Sequence, residues 1–190
     1  LYISHGSPMT ALQPGLTGER LTELAAALPR PKAIVIASAH WLSPQPQVGG
    51  ATAPDTIRDF GGFPAALYQL RYPAPGAPVL AGRVLQLLDQ AGLAPVLDPD
   101  RGLDHGAWVP LRLLYPAADI PVVPVSIQPG PVGLNPGPAH QYALGQALAP
   151  LRDEGVLVIG SGSITHNLHD LRAGYSNERQ APYVKPFIDW

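Results

Sequence analysis

Four short apolar runs, residues 1–4, 33–38, 121–127 and 156–160, limit what this chain can become. None alternates apolar with polar residues. A strand with one wet face shows a period of two, so unalternating runs rich in Val, Ile and Ala suit strands covered on both faces. Pro124 argues against a central place for the third run, unless its missing donor falls at a bulge or an edge. Stretches with a period near 3.6 separate the runs. Residues 17–28 place Leu21, Leu24 and Leu28 on one face and leave Glu19, Arg20 and Glu23 to water. Residues 78–91 gather Leu80, Val84, Leu87 and Leu88 ahead of Gly92, and residues 138–151 turn Tyr142, Leu144 and Leu148 inward. This order predicts an α/β fold with a mixed, largely parallel central sheet and helices on both faces.

Composition narrows the function. With 46% hydrophobic and 14% charged residues the chain is a compact globule, and 190 residues suit one catalytic domain spanning 1–190. A net charge of −2 and no polybasic stretch exclude a nucleic-acid or anionic-membrane footprint. No apolar run approaches the roughly 18–20 residues that cross a bilayer. Cysteine is absent, so any metal site must use His, Asp, Glu or water. A cysteine-free chain also fits a cytoplasmic setting. The 24 prolines and 20 glycines concentrate in residues 43–54, 72–78 and 129–138, which read as stiff surface loops. Leu1 is not an initiator Met, and residues 183–190 read as the opening of an uncapped helix. A longer natural chain is therefore expected, incomplete here at its carboxyl end.

The histidines carry the chemistry. His5, His40 and His166 each follow an apolar run, and His105 lies in a glycine-flanked stretch read as a loop. Ligands of open α/β sheets bind beyond the carboxyl ends of strands, where His5, His40 and His166 can converge from three strands. Imidazole suits Zn, Fe, Ni and Cu, and two His with one carboxylate are the arrangement of oxygen-activating Fe(II) sites. Any single one of them also reads as a hydrogen-bonded core or loop residue. His140 reads as a solvated helix position, and His169 as a surface or supporting residue. Asp104 precedes His105 and is placed to orient its ring, with Asp59 and Asp170 as other carboxylates. Trp41, Phe60, Phe63, Tyr68 and Trp108 suit either a core or a pocket for a planar substrate. Asp59-Phe60-Gly61 matches a kinase tripeptide, but no companion motif supports that reading.

Taken in order, His5-Gly6-Ser7-Pro8-Met9, Ser38-Ala39-His40-Trp41, Ile57-Arg58-Asp59-Phe60-Gly61-Gly62-Phe63-Pro64, Leu67-Tyr68, Tyr72-Pro73-Ala74-Pro75-Gly76, Gly102-Leu103-Asp104-His105-Gly106 and Thr165-His166-Asn167-Leu168 form a pattern. It resembles the class III extradiol ring-cleaving dioxygenases, in their DOPA 4,5-dioxygenase branch, over the whole of residues 1–190. The resemblance implies one divalent metal ion, Fe(II) for catalysis with Zn(II) as a replacement in purified protein. By the same resemblance His5 and His40 bind the metal, and His166 joins them as ligand or acid–base residue. His105 serves substrate binding and proton transfer, with Trp41 and Phe60 beside the substrate. A further ligand of the family lies near the carboxyl terminus, past Trp190. The implied partners are a small aromatic diol and O2, and the implied product is a muconic semialdehyde. Two readings stay open beside it: a zinc hydrolase on the same histidines, and a non-catalytic binding relative.

Overall fold

In the computed structural model, which describes residues 1–129, 137–163, 166, 169 and 181–189, a six-stranded sheet carries helices on both faces. The strands are β1 (Tyr2–Ser4), β2 (Ala33–Leu42), β3 (Gln47–Gly49), β4 (Val96–Asp98), β5 (Val122–Ile127) and β6 (Val156–Gly162), in the order β1-β6-β2-β5-β3-β4. All neighbouring pairs are parallel except β3 with β5. The helices include α1 (Gly15–Ala27), α2 (Ala65–Gln69), α3 (Pro78–Gln90), α4 (His105–Leu114), α5 (Gly137–Leu148) and a short helix at Val184–Asp189. No helix among the described residues is long and apolar enough to cross a membrane.

The unalternating runs are explained by the two cores they feed. On one face Ile3, Ile34, Ile36, Val122 and Ile159 pack with Leu21 of α1 and with Trp108, Leu111 and Leu114 of α4. On the other, Val35, Val123, Val125 and Val156 meet Val84 and Leu88 of α3 and Leu144 and Leu148 of α5. Alternate residues of β2 thus point into different cores, and both cores demand apolar side chains. Tyr142 departs from the expected inner face and is 69% exposed.

Pro124 does occupy an inner strand, paired opposite Ile36. Pro121 O accepts from Ile34 N on β2, while Val122 N donates to Pro75 O on the other side. Backbone groups alternate sides along a strand, so the donor missing at Pro124 falls on the β3 flank, where the pairing is the single bridge Val48↔Val125. The proline ring fills the space over Gly49, where an added Cβ would lie 2.6 Å from Pro124 Cγ.

Three further sequence expectations change. His105 opens helix α4 rather than lying in a loop, because Asp104 caps that helix by accepting from Ala107 N at 3.2 Å. The third predicted helix stops at Leu148, and Ala149–Arg152 continues as a 3-10 turn around Pro150. His140 is half-buried, with Nε2 3.0 Å from Gln128 Oε1, instead of solvated. The three-residue strands β3 and β4 were too short to show a period.

Candidate metal centre

Three histidines meet at the carboxyl end of the parallel strands. His5 follows β1 and is tied to β6 through its backbone N–H to Gly162 O at 3.2 Å. His40 lies towards the end of β2, and His105 is the first residue of α4. One ring nitrogen of each lies within 4.8 Å of the others. The ring centroids are 4.9 Å apart for His5 and His40, 5.5 Å for His5 and His105, and 3.8 Å for His40 and His105. His5 and His105 are buried, and His40 is partly exposed.

A helix proline sets up the support of His5. Pro110 lacks the N–H that would bond the carbonyl four residues back, which is Gly106 O. Ser161 Oγ donates to that freed carbonyl. The serine hydrogen is thereby committed, so Ser161 Oγ accepts from His5 Nδ1 at 3.0 Å. His5 is therefore protonated on Nδ1 and turns the Nε2 lone pair towards His40, whose Nε2 is 3.1 Å away.

On the opposite side stands Asp59. Its Oδ1 accepts from the backbone N–H of His105 at 2.9 Å. Its Oδ2 lies 2.9 Å from His105 Nδ1 and 3.6 Å from His40 Nδ1. The His105 Nδ1–H does not point straight at the carboxylate, and this buried nitrogen has no other hydrogen-bond acceptor.

Electrostatics disfavour the protonated forms of His5 and His40. Burial, then the neighbouring His40, His105 and His166, lower the His5 pKa to about 4, against a smaller upward pull from Asp59. Burial and the charge of His105 likewise lower His40. Burial alone would raise Asp59, but the close His105 ring, the hydrogen bond from the His105 backbone N–H and the His105 charge hold it at about 2.

These requirements fit a cation better than a proton. His5 presents a lone pair, so the 3.1 Å contact needs something positive on the His40 side. A neutral His40 has one hydrogen, wanted at Nε2 by His5 and at Nδ1 by Asp59. An imidazolium would satisfy both, but the surroundings disfavour it. His5, His40 and His105 bring together the imidazole nitrogens that would hold a divalent ion.

The sequence-derived site residues fall as follows. His5, His40 and His105 come together. His166 is exposed and does not join the cluster of ring nitrogens, yet its charge depresses both His5 and His40. Phe60 is half-buried with its ring 5.7 Å from that of His105, edge to face. Trp41 is buried and carries the Arg101 guanidinium 4.5 Å over its ring. Asp104 does not hold the His105 ring. It caps α4, accepts from Ser38 Oγ at 2.6 Å and pairs with Arg101 at 2.8 Å, while Asp59 serves His105. His169 is exposed, and Asp170 lies outside the described residues. Ser161 and Gly106 escaped the sequence reading. The one signal for them is the four-residue spacing from Gly106 to Pro110.

Comparison with known proteins supplies the family. Residues 1–189 match the family described as the catalytic LigB subunit of aromatic ring-opening dioxygenase. A 4,5-DOPA dioxygenase extradiol of Beta vulgaris is 48% identical over 193 residues, covering 100% of this chain and 69% of the relative. One of the same description from Escherichia coli K12 is 44% identical over 191 residues, covering 100% and 68%. A crystal structure of an uncharacterised Escherichia coli K12 protein superposes with a TM-score of 0.64 at 38% identity, over 82% of this chain and 56% of that one. The chain thus spans about two thirds of the length of these curated relatives and just over half of the solved protein.

Proposed function

The chain belongs to the LigB family of aromatic ring-opening dioxygenases, and on that premise we propose that it opens the ring of a small catechol beside its hydroxyls. Both atoms of O2 enter the product, a muconic semialdehyde, as the carbon–carbon bond next to one hydroxyl breaks. The relatives named for DOPA make L-DOPA the first substrate to test. The observation that carries the reading is the convergence of His5, His40 and His105 around facing ring nitrogens.

His5 and His40 would hold the ion, with His166 as acid–base residue or further ligand. Fe(II) in that position supplies Lewis acidity towards the diol oxygens and a site for O2. His105 stands against His40 with its Nδ1 side braced by Asp59, and so offers its other nitrogen for proton transfer to and from the substrate. Phe60, edge-on to His105, gives a planar ring a surface to lie on. A cytoplasmic setting fits the cysteine-free chain.

Anaerobic Fe(II) loading followed by oxygen uptake with L-DOPA and simple catechols tests the reading. Uptake with a yellow ring-opened product is expected, lost in His105→Ala. Metal binding without uptake across the catechol panel would overturn it in favour of a hydrolase.

A further inference from the structure

We infer that Asp59 is a positioning residue of this centre, one carboxylate that sets the ring orientation and tautomer of His105 and His40 together. The inference rests on reading these histidines as a metal centre and does not depend on which diol is bound. A carboxylate only accepts. With Oδ2 2.9 Å from His105 Nδ1 and 3.6 Å from His40 Nδ1, it favours hydrogen on both Nδ1 atoms and a lone pair on both Nε2 atoms. Ser161 imposes the same state on His5. His5 and His40 then turn Nε2 lone pairs to the space between them, where an ion would sit, and His105 keeps its Nε2 lone pair to take a proton. A carboxylate behind a ligating imidazole is the usual way such rings are fixed and made more basic, and its loss typically costs ~10–100-fold in metal affinity.

Asp59 is itself held firmly. The segment before it pairs with the approach to α4 through Ile57 N to Leu103 O at 2.8 Å and Leu103 N to Asp55 O at 2.7 Å. Trp108 Nε1 donates to Ile57 O at 2.9 Å. Asp59 Oδ1 then closes onto the His105 backbone N–H. The loop, the first turn of α4 and the two rings are thus tied at one side chain.

A purely structural role would be to cap the first turn of α4, and Asp59→Asn separates the two. Asparagine keeps an oxygen for the His105 backbone N–H but sets an NH2 donor against Nδ1, which forces the proton to Nε2. In a catalytic triad the same exchange leaves geometry intact and ruins the tautomer.

The experiment is Zn(II) competition with a chromogenic chelator, combined with long-range 15N–1H NMR of the histidine rings in the metal-free chain, for wild type, Asp59→Asn and Asp59→Ala. His105 is expected as the Nδ1–H form in wild type and as the Nε2–H form in Asp59→Asn, with Zn(II) affinity reduced ~10–100-fold and the thermal midpoint nearly unchanged. Wild-type affinity and an unswitched tautomer in Asp59→Asn, with loss confined to Asp59→Ala, would overturn the inference in favour of capping. Wild type that binds no Zn(II) would sink the metal reading, and the tautomers would still judge Asp59.

Discussion

Replacing Gly106 with alanine should harm this protein, although glycine to alanine inside a helix ordinarily helps it. Gly106 is the second residue of α4, where alanine would gain about 0.5–1 kcal/mol in helix preference. The new Cβ would stand 2.4 Å from Ser38 Oγ, 3.0 Å from His40 Cδ2 and 3.2 Å from Asp104 Oδ1. Ser38 and Asp104 are each about 1% exposed and cannot move aside. Overpacking costs about 1–3 kcal/mol. Breaking the 2.6 Å bond from Ser38 to the Asp104 carboxylate costs roughly a further 1.5–3 kcal/mol. The net is about 1.5–5.5 kcal/mol of destabilisation, or a thermal midpoint lower by roughly 3–20 °C for a domain of this size. Gly82 in α3 is the control, because its Cβ would meet open space. Thermal denaturation with Zn(II) titration should show Gly106→Ala falling and binding metal weakly, with Gly82→Ala rising slightly. A Gly106→Ala protein as stable as wild type, with unchanged metal affinity, would refute the argument.

The remaining expectations concern protons, packing and the support of His5. His5 holds its pKa at about 4 when folded against 6.5 as a free side chain, so the unfolded chain binds more protons between those values. The metal-free protein should therefore lose stability as pH falls from about 6.5 to about 4, with Asp59 adding a second loss from 3.8 towards about 2. A flat midpoint across pH 6.5–4, followed by differential scanning calorimetry, would contradict this. Ser161→Ala removes the acceptor of His5 Nδ1 and should weaken Zn(II) binding ~10–100-fold in a chelator competition; unchanged affinity would mean that the serine does not orient the ring. Trp108→Phe should cost about 2–4 kcal/mol in urea denaturation, because the indole is fully buried and Ile57 O loses its donor; a loss below ~1 kcal/mol would show that the hydrogen bond carries no weight.

Much of this architecture was readable in advance because both faces of the sheet are buried. Ile34, Val35 and Ile36 feed two cores, and that shows as an unbroken apolar run. The short strands β3 and β4 were invisible because three residues cannot display a period. Helix α4 was hidden by Gly106 and Pro110, residues that argue against a helix on propensity alone. They are present because the frame of the site needs them. Gly106 lets the helix approach His40, and Pro110 frees the carbonyl that Ser161 takes. The histidines were legible as strand-end residues, whereas the partner of His105 was not. Sequence adjacency favoured Asp104, but that side chain turns into the helix cap, and a carboxylate from a distant loop fills the place.

The most direct test of the account is the metal stoichiometry of the purified chain after Zn(II) or Co(II) equilibration, in wild type, His5→Ala, His40→Ala and His105→Ala. One ion per chain is expected in wild type, with loss of that ion in His5→Ala and His40→Ala and its retention in His105→Ala. Undiminished binding in His5→Ala and His40→Ala, or none in wild type, would contradict it.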